Sequence, residues 1–135
     1  MKIIGVDVGG TKISAGLVEE GKTIRESTIA TPWDRPQYEV MQALYQVIDE
    51  VFDTGVAGIG IGVPGLVDLR ENIVLDVTNI PSWDAVPLAE LVSEYFNKKV
   101  YVNNDANCFA LGEKYYGKGK PYAHFVGLII GTGMG

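Results

Sequence analysis

The chain has 135 residues, 47% of them hydrophobic and 21% charged, enough for one buried core and too short for two ordinary domains. A formal net charge of −6 and no long run of Lys and Arg argue against DNA, RNA and anionic membranes as partners. A single cysteine, Cys108, and a single histidine, His124, exclude a disulfide framework and any Cys or His zinc site built within this chain.

The start, MKIIGVDVGG, lacks the long apolar stretch of a signal peptide or membrane span, so a cytoplasmic protein is expected. Residues 3–8 are apolar except for Asp7, the pattern of a strand covered on both faces. Beyond Gly9 and Gly10, residues 12–18 place Ile13, Ala15 and Leu17 on one strand face. A polar turn at residues 19–22 leads to a third strand over 23–31, making an antiparallel meander.

Residues 36–52 carry Val40, Leu44, Val47, Ile48, Val51 and Phe52 at spacings of three and four, which predicts a helix with one apolar stripe. Residues 56–63 alternate Gly58, Gly60 and Gly62 with Ile59, Ile61 and Val63, so one strand face is nearly bare and should be closely packed. A short strand over 73–77 follows, then a helix over 87–96 with Pro87 in its first turn, then a strand over 99–102. A helix over 106–116, closed by Gly117, and a buried strand over 125–130 complete the prediction. The order βββαβ, continued by strands alternating with helices, indicates an α/β fold with a mixed sheet flanked by helices. The chain stops within a glycine-rich turn, which reads as a fragment of a longer protein.

Four segments carry candidate chemistry. Asp7 to Lys12 joins two strands through Gly9 and Gly10, a tight turn whose backbone N–H groups can surround phosphate oxygens; Thr11 and Lys12 add a hydroxyl and a positive charge. Asp7 is placed to hold Mg²⁺ through water, although the same segment would also serve as a hairpin turn with an Asp cap. Gly131, Thr132 and Gly133 form a second turn of similar composition, and two such turns could grip one polyphosphate. Neither is a GxxxxGK[ST] loop nor a GxGxxG loop opening a helix.

Asn103, Asn104, Asp105 and Asn107 crowd the exit of a strand. One of them would suffice to cap the next helix. The surplus suits a polyhydroxy ligand, with Asp105 the candidate general base for a substrate hydroxyl. The loops at 62–68 and 78–83 could shape a sugar cleft, or be ordinary turns with a core-facing Trp83. Cys108 reads as a small, partly buried helix residue, and His124 as a strand-edge residue.

DVGGTK at 7–12, GVPGLVD at 62–68, TNIPSW at 78–83, NNDANC at 103–108 and GTGMG at 131–135 together resemble the ROK family of sugar kinases and related repressors. That resemblance runs the length of the chain. It implies an actin-like, ribonuclease H-like fold whose two α/β domains close on ATP and a hexose, with residues 1–135 as the first domain. By matched position, Gly9, Gly10, Thr11 and Lys12 would be the first phosphate loop and Gly131, Thr132 and Gly133 the second. Asp7 would be the Mg²⁺-associated carboxylate and Asp105 the base. Asn104 would hold neighbouring hydroxyls, and Gly65, Thr78 and Asn79 would line the sugar side.

The reaction so implied is transfer of the γ-phosphoryl of ATP to a hexose hydroxyl, usually the 6-hydroxyl of glucose or an N-acetylated hexosamine. The family's other sugar contacts, its zinc site and its adenine pocket would lie beyond Gly135, in a C-terminal domain, and the complete enzyme would be a homo-oligomer. The alternatives are a non-catalytic sugar-sensing domain and another actin-like ATPase. Repressor function is disfavoured, because only six residues precede Asp7 where the family's repressors place a helix-turn-helix.

Overall fold

A computed structural model describes residues 1–130. Three antiparallel strands open the fold: β1 (Lys2–Val8), β2 (Lys12–Glu19) and β3 (Lys22–Ala30). Between β2 and β3, Glu20 and Gly21 both have positive φ (51° and 78°), the backbone that lets a two-residue hairpin follow the strands' right-handed twist. Helix α1 (Gln37–Asp49) then returns the chain to β4 (Val56–Val63), which pairs parallel with β1. After α2 (Leu88–Phe96), β8 (Lys99–Asn104) pairs parallel with β4, and α3 (Asp105–Tyr115) follows at once. The main sheet therefore has five strands in the order β3-β2-β1-β4-β8.

Its core lies on one face. Ile4, Val6 and Val8 of β1, Ile13 and Leu17 of β2, and Ile59, Ile61 and Val63 of β4 pack with Val40, Leu44, Val47 and Ile48 of α1 and Leu88, Val92 and Phe96 of α2. Phe96 joins the two helices, its ring 5.2 Å from that of Phe52 and 6.2 Å from that of Tyr45.

The predicted helices shift slightly at their ends. Pro36 has an extended backbone and stands just outside α1, while Val51 and Phe52 close it with i→i−3 bonds. Pro87 occupies the N-cap of α2 rather than its first turn, its carbonyl accepting from the Leu91 N–H at 3.1 Å. β8 runs two residues past the expected Val102 because Asn103 and Asn104 continue the ladder against Gly62 and Val63.

The structure departs from the sequence in four places. β1 alternates instead of being covered on both faces: Ile4, Val6 and Val8 are buried, while Ile3, Gly5 and Asp7 are not. The face opposite α1 and α2 is the reason, since among the described residues nothing comes within 4 Å of where a Gly5 or Gly60 side chain would point. Close packing on the glycine face of β4 is confined to Gly62, where Asp105 and Cys108 of α3 approach.

A second sheet, β5 (Leu66–Asp68), β6 (Ile73–Asp76) and β7 (Asp84–Val86), occupies the region where only one short strand was predicted. Residues 125–129 form no strand, and Val126 and Leu128 are exposed. A strand needs a partner backbone; this run instead lies along α3, with Gly127 against Phe109 and Ala110. His124 accordingly sits exposed in a bend and not at a strand edge.

Candidate active site

The carboxyl ends of the parallel strands β1, β4 and β8 open on one side of the sheet, the usual place for a ligand in an open α/β fold. Their register sets Asp7, Gly62 and Asn103 in one row. Paired residues in a ladder point to the same face, so Asp7 and Asn103 flank a glycine that contributes no side chain. Asp105 begins α3 just beyond, its Cα 3.6 Å from where a Gly62 Cβ would stand. The missing side chain leaves only bare backbone between Asp7 and the start of α3, so the Asp105 charge is felt at Asp7.

Their electrostatics follow from that placement. Loss of solvent pushes the Asp7 carboxyl above its ordinary range, the Asp105 charge pushes it further, and Lys12 pulls it partly back. Burial raises the Cys108 thiol as well, with both carboxylates adding to the effect, so Cys108 behaves as an inert, part-buried helix residue.

Ionised Asp7 therefore opposes folding. Its folded pKa lies above the ordinary 3.8, so stability is lost as pH rises from about there through the raised value. Asp7→Asn is expected to raise the melting temperature at pH 7, with the gain vanishing below about pH 3.8, as read from melting curves across pH.

The phosphate-loop candidates make a tight turn in which the Gly9 N–H donates to the Lys12 carbonyl at 2.9 Å. Gly9 is thus not a free donor, contrary to the sequence expectation for the whole turn, because the hairpin uses it to close. Among the described residues the N–H groups of Gly10 and Thr11 have no acceptor and remain available to an anion. Thr31 braces the turn from behind: its hydroxyl donates to the Gly9 carbonyl at 2.6 Å and its N–H to the Thr11 carbonyl at 3.0 Å. Gly131, Thr132 and Gly133 lie outside the described residues.

Asn104 caps the helix, one of the two roles the sequence allowed for a strand-exit amide, and also ties down a loop. Its Oδ1 accepts from the N–H groups of Ala106 and Asn107, capping α3, and its Nδ2 donates to the Gly65 carbonyl at 3.1 Å. That second bond ties the GVPGLVD loop to the strand exit. Asn103 Oδ1 in turn accepts from Asn107 Nδ2 at 3.0 Å, so the amides form a local network around Asp105.

Thr78 and Asn79 lie beside the phosphate turn. A Cβ on Gly10 would stand 2.7 Å from Asn79 Cβ, so only glycine lets this side chain rest against the loop. Together with Thr11, Pro81 and Trp33 these residues line a cleft of about 320 Å³. Trp33 was not singled out from the sequence; the one signal was a tryptophan within a polar turn, where no core position was expected. Trp83, by contrast, is 1% exposed and fills the core beneath the same region.

Asp7 and Asp105 beside a bare glycine offer carboxylate oxygens that a hard cation could meet through its water shell, while the amide oxygens of Asn103 and Asn104 are taken by hydrogen bonds and no group of three or more His, Cys, Asp or Glu gathers among the described residues. No described helix is long and apolar enough to cross a membrane.

Residues 3–135 match the ROK family. The glucokinase of Thermotoga maritima is 42% identical over the whole chain, which spans 43% of that enzyme. An N-acetyl-D-glucosamine kinase of Yersinia pestis is 38% identical over 97% of the chain, which spans 52% of it. Among solved structures, a ROK family glucokinase from Streptomyces griseus, in complex with glucose and AMPPNP, superposes with a TM-score of 0.91 at 34% identity, covering all of this chain and 43% of that one. The chain thus spans about half the length of its relatives or less. Its mixed α/β architecture is the actin-like ATPase fold expected from the sequence.

Proposed function

The chain belongs to the ROK family, and from that premise we propose that it is the N-terminal domain of a cytoplasmic, ATP-dependent sugar kinase. The reaction is transfer of the γ-phosphoryl of ATP to a hexose hydroxyl, the 6-hydroxyl of glucose or a related sugar. The observation that supports this best is the meeting of Asp7 and Asp105 across side-chain-free Gly62, at the strand ends beside a turn with two free N–H donors.

Asp105 accepts the proton of the attacking sugar hydroxyl, and the attack breaks the bond between the γ-phosphorus and the bridging oxygen, leaving ADP. Gly10 and Thr11 hold phosphate oxygens through their N–H groups, with Lys12 supplying positive charge; Gly9 shapes the turn and Gly131, Thr132 and Gly133 complete the grip. Asp7 would hold Mg²⁺ through water, which when bound offsets phosphate charge. Asn104, Gly65, Thr78 and Asn79 position the sugar, Asn104 and Gly65 as a hydrogen-bonded pair.

The partner domain supplies the other wall of the cleft, and the complete enzyme is a homo-oligomer. Phe109, Leu111 and Tyr115 of α3, with Tyr116 just after it and Val126 and Leu128, are exposed in this chain and offer apolar surface for that second domain. Residues 1–135 expressed alone are therefore expected to self-associate at high concentration and to release no ADP in the presence of ATP and hexose. Monomeric elution, or rapid turnover, would contradict this.

The proposal is tested by coupled ADP release from the complete protein with a panel of hexoses. One sugar should drive turnover.

A further inference from the structure

We propose that Trp33 is the aromatic wall of the hexose subsite and sets the affinity for sugar rather than for nucleotide. This inference rests on the sugar-kinase reading above. Trp33 is 52% exposed, although a tryptophan gains more than other residues by burial, and its exposed surface lines the cleft shared with Gly10, Thr11, Thr78, Asn79 and Pro81.

The turn that carries it is fixed. Thr31, the one buried polar residue in the core among the described residues, bolts the end of β3 to the carbonyls of Gly9 and Thr11. Directly after Thr31, the Arg35 N–H donates to the Pro32 carbonyl at 3.1 Å and closes a turn around Trp33. The Arg35 guanidinium pairs with Glu39 through two bonds of 2.8 and 3.2 Å, anchoring that turn to the first turn of α1. The backbone that carries the indole is thus braced before any ligand arrives, which lowers the ordering cost of binding.

The chemistry of the cleft selects its occupant. A cleft lined by an indole, a primary amide and two threonines offers apolar surface and several hydrogen-bonding groups to one small ligand. A pyranose has that dual character, with C–H groups on its ring face and hydroxyls at its edge. The volume, about 320 Å³, is at the small end of ligand sites and suits a single ring.

The test uses the complete protein and its Trp33→Ala and Trp33→Phe variants. Trp33→Ala is expected to raise the KM for the preferred hexose about tenfold while leaving the KM for ATP unchanged, and Trp33→Phe to restore most of the loss. As a readout independent of turnover, hexose should change the tryptophan emission of the wild type, and Trp33→Phe should remove that change, since Trp83 is shielded in the core. An unchanged hexose KM in Trp33→Ala, or a raised KM for ATP instead, would overturn the inference and leave the kinase reading standing. A wild type that neither binds nor phosphorylates any hexose would overturn both.

Discussion

Asp105→Asn in the complete protein is expected to lower hexose-dependent ADP release by about 10²- to 10⁴-fold, the usual contribution of a positioned general base. The substitution keeps the shape of the side chain and its oxygen. Asp105 Oδ1, which accepts from the Ala106 N–H at 2.8 Å, has an amide counterpart in asparagine, and the cap of α3 is made by Asn104. Folding should be preserved. Loss of a neighbouring negative charge should even relieve Asp7, whose carboxyl Asp105 pushes upward. The expected signature is a large fall in kcat with an unchanged or raised melting temperature, and the KM for hexose little altered. A variant that keeps most of its kcat would remove Asp105 from the chemistry.

Gly65→Ala should be the most damaging of the substitutions at the described glycines. A Cβ there would stand 2.0 Å from the Asp76 carbonyl oxygen and 3.1 Å from Val77 Cγ2, and the first of these is backbone that cannot rotate away. Relief requires β5 and β6 to separate where Leu66 pairs with Asp76. The Gly65 carbonyl would move with them and break its hydrogen bond to Asn104 Nδ2. We expect a loss of about 3 kcal/mol by denaturant unfolding, the upper end of overpacking, together with weaker hexose binding. Gly112→Ala is the control: it lies in α3 with nothing within 4 Å of the added methyl, and should be neutral or stabilise by about 0.5–1 kcal/mol. Equal stability of the two variants would contradict the packing described at Gly65.

Elements with many residues on one buried face were legible in the sequence. Ile13, Ala15 and Leu17 fixed the inward face of β2, and Val40, Leu44, Val47 and Ile48 that of α1, because each packs on the same layer and shows its own period. The three-stranded sheet was not. β5 and β7 have three residues each, too few to display alternation, and the pairing of β5 with β6 depends on Gly65 fitting under a carbonyl of β6. The apolar run at 125–130 misled for the opposite reason: its composition suits a strand, but strand formation depends on a neighbouring backbone that the run itself does not encode.

The candidate site was legible as residue types but not as an arrangement. Asp7, Asn104 and Asp105 stood out as polar groups at strand ends, and the structure brings Asp7 and Asp105 together through the register of three strands and the absence of a side chain at Gly62. Gly9 was expected to donate to phosphate and instead closes its own turn. Trp33 was invisible because its significance is its exposure beside the cleft, which sequence pattern does not encode.

The measurement that bears most directly on the central claim is hexose-dependent ADP release by the complete protein, with the phosphorylated product identified. Turnover with glucose or a related hexose, yielding the sugar 6-phosphate in step with ADP, is the predicted result. Tight hexose binding without any ADP or sugar phosphate would contradict a kinase and leave a sugar-sensing domain.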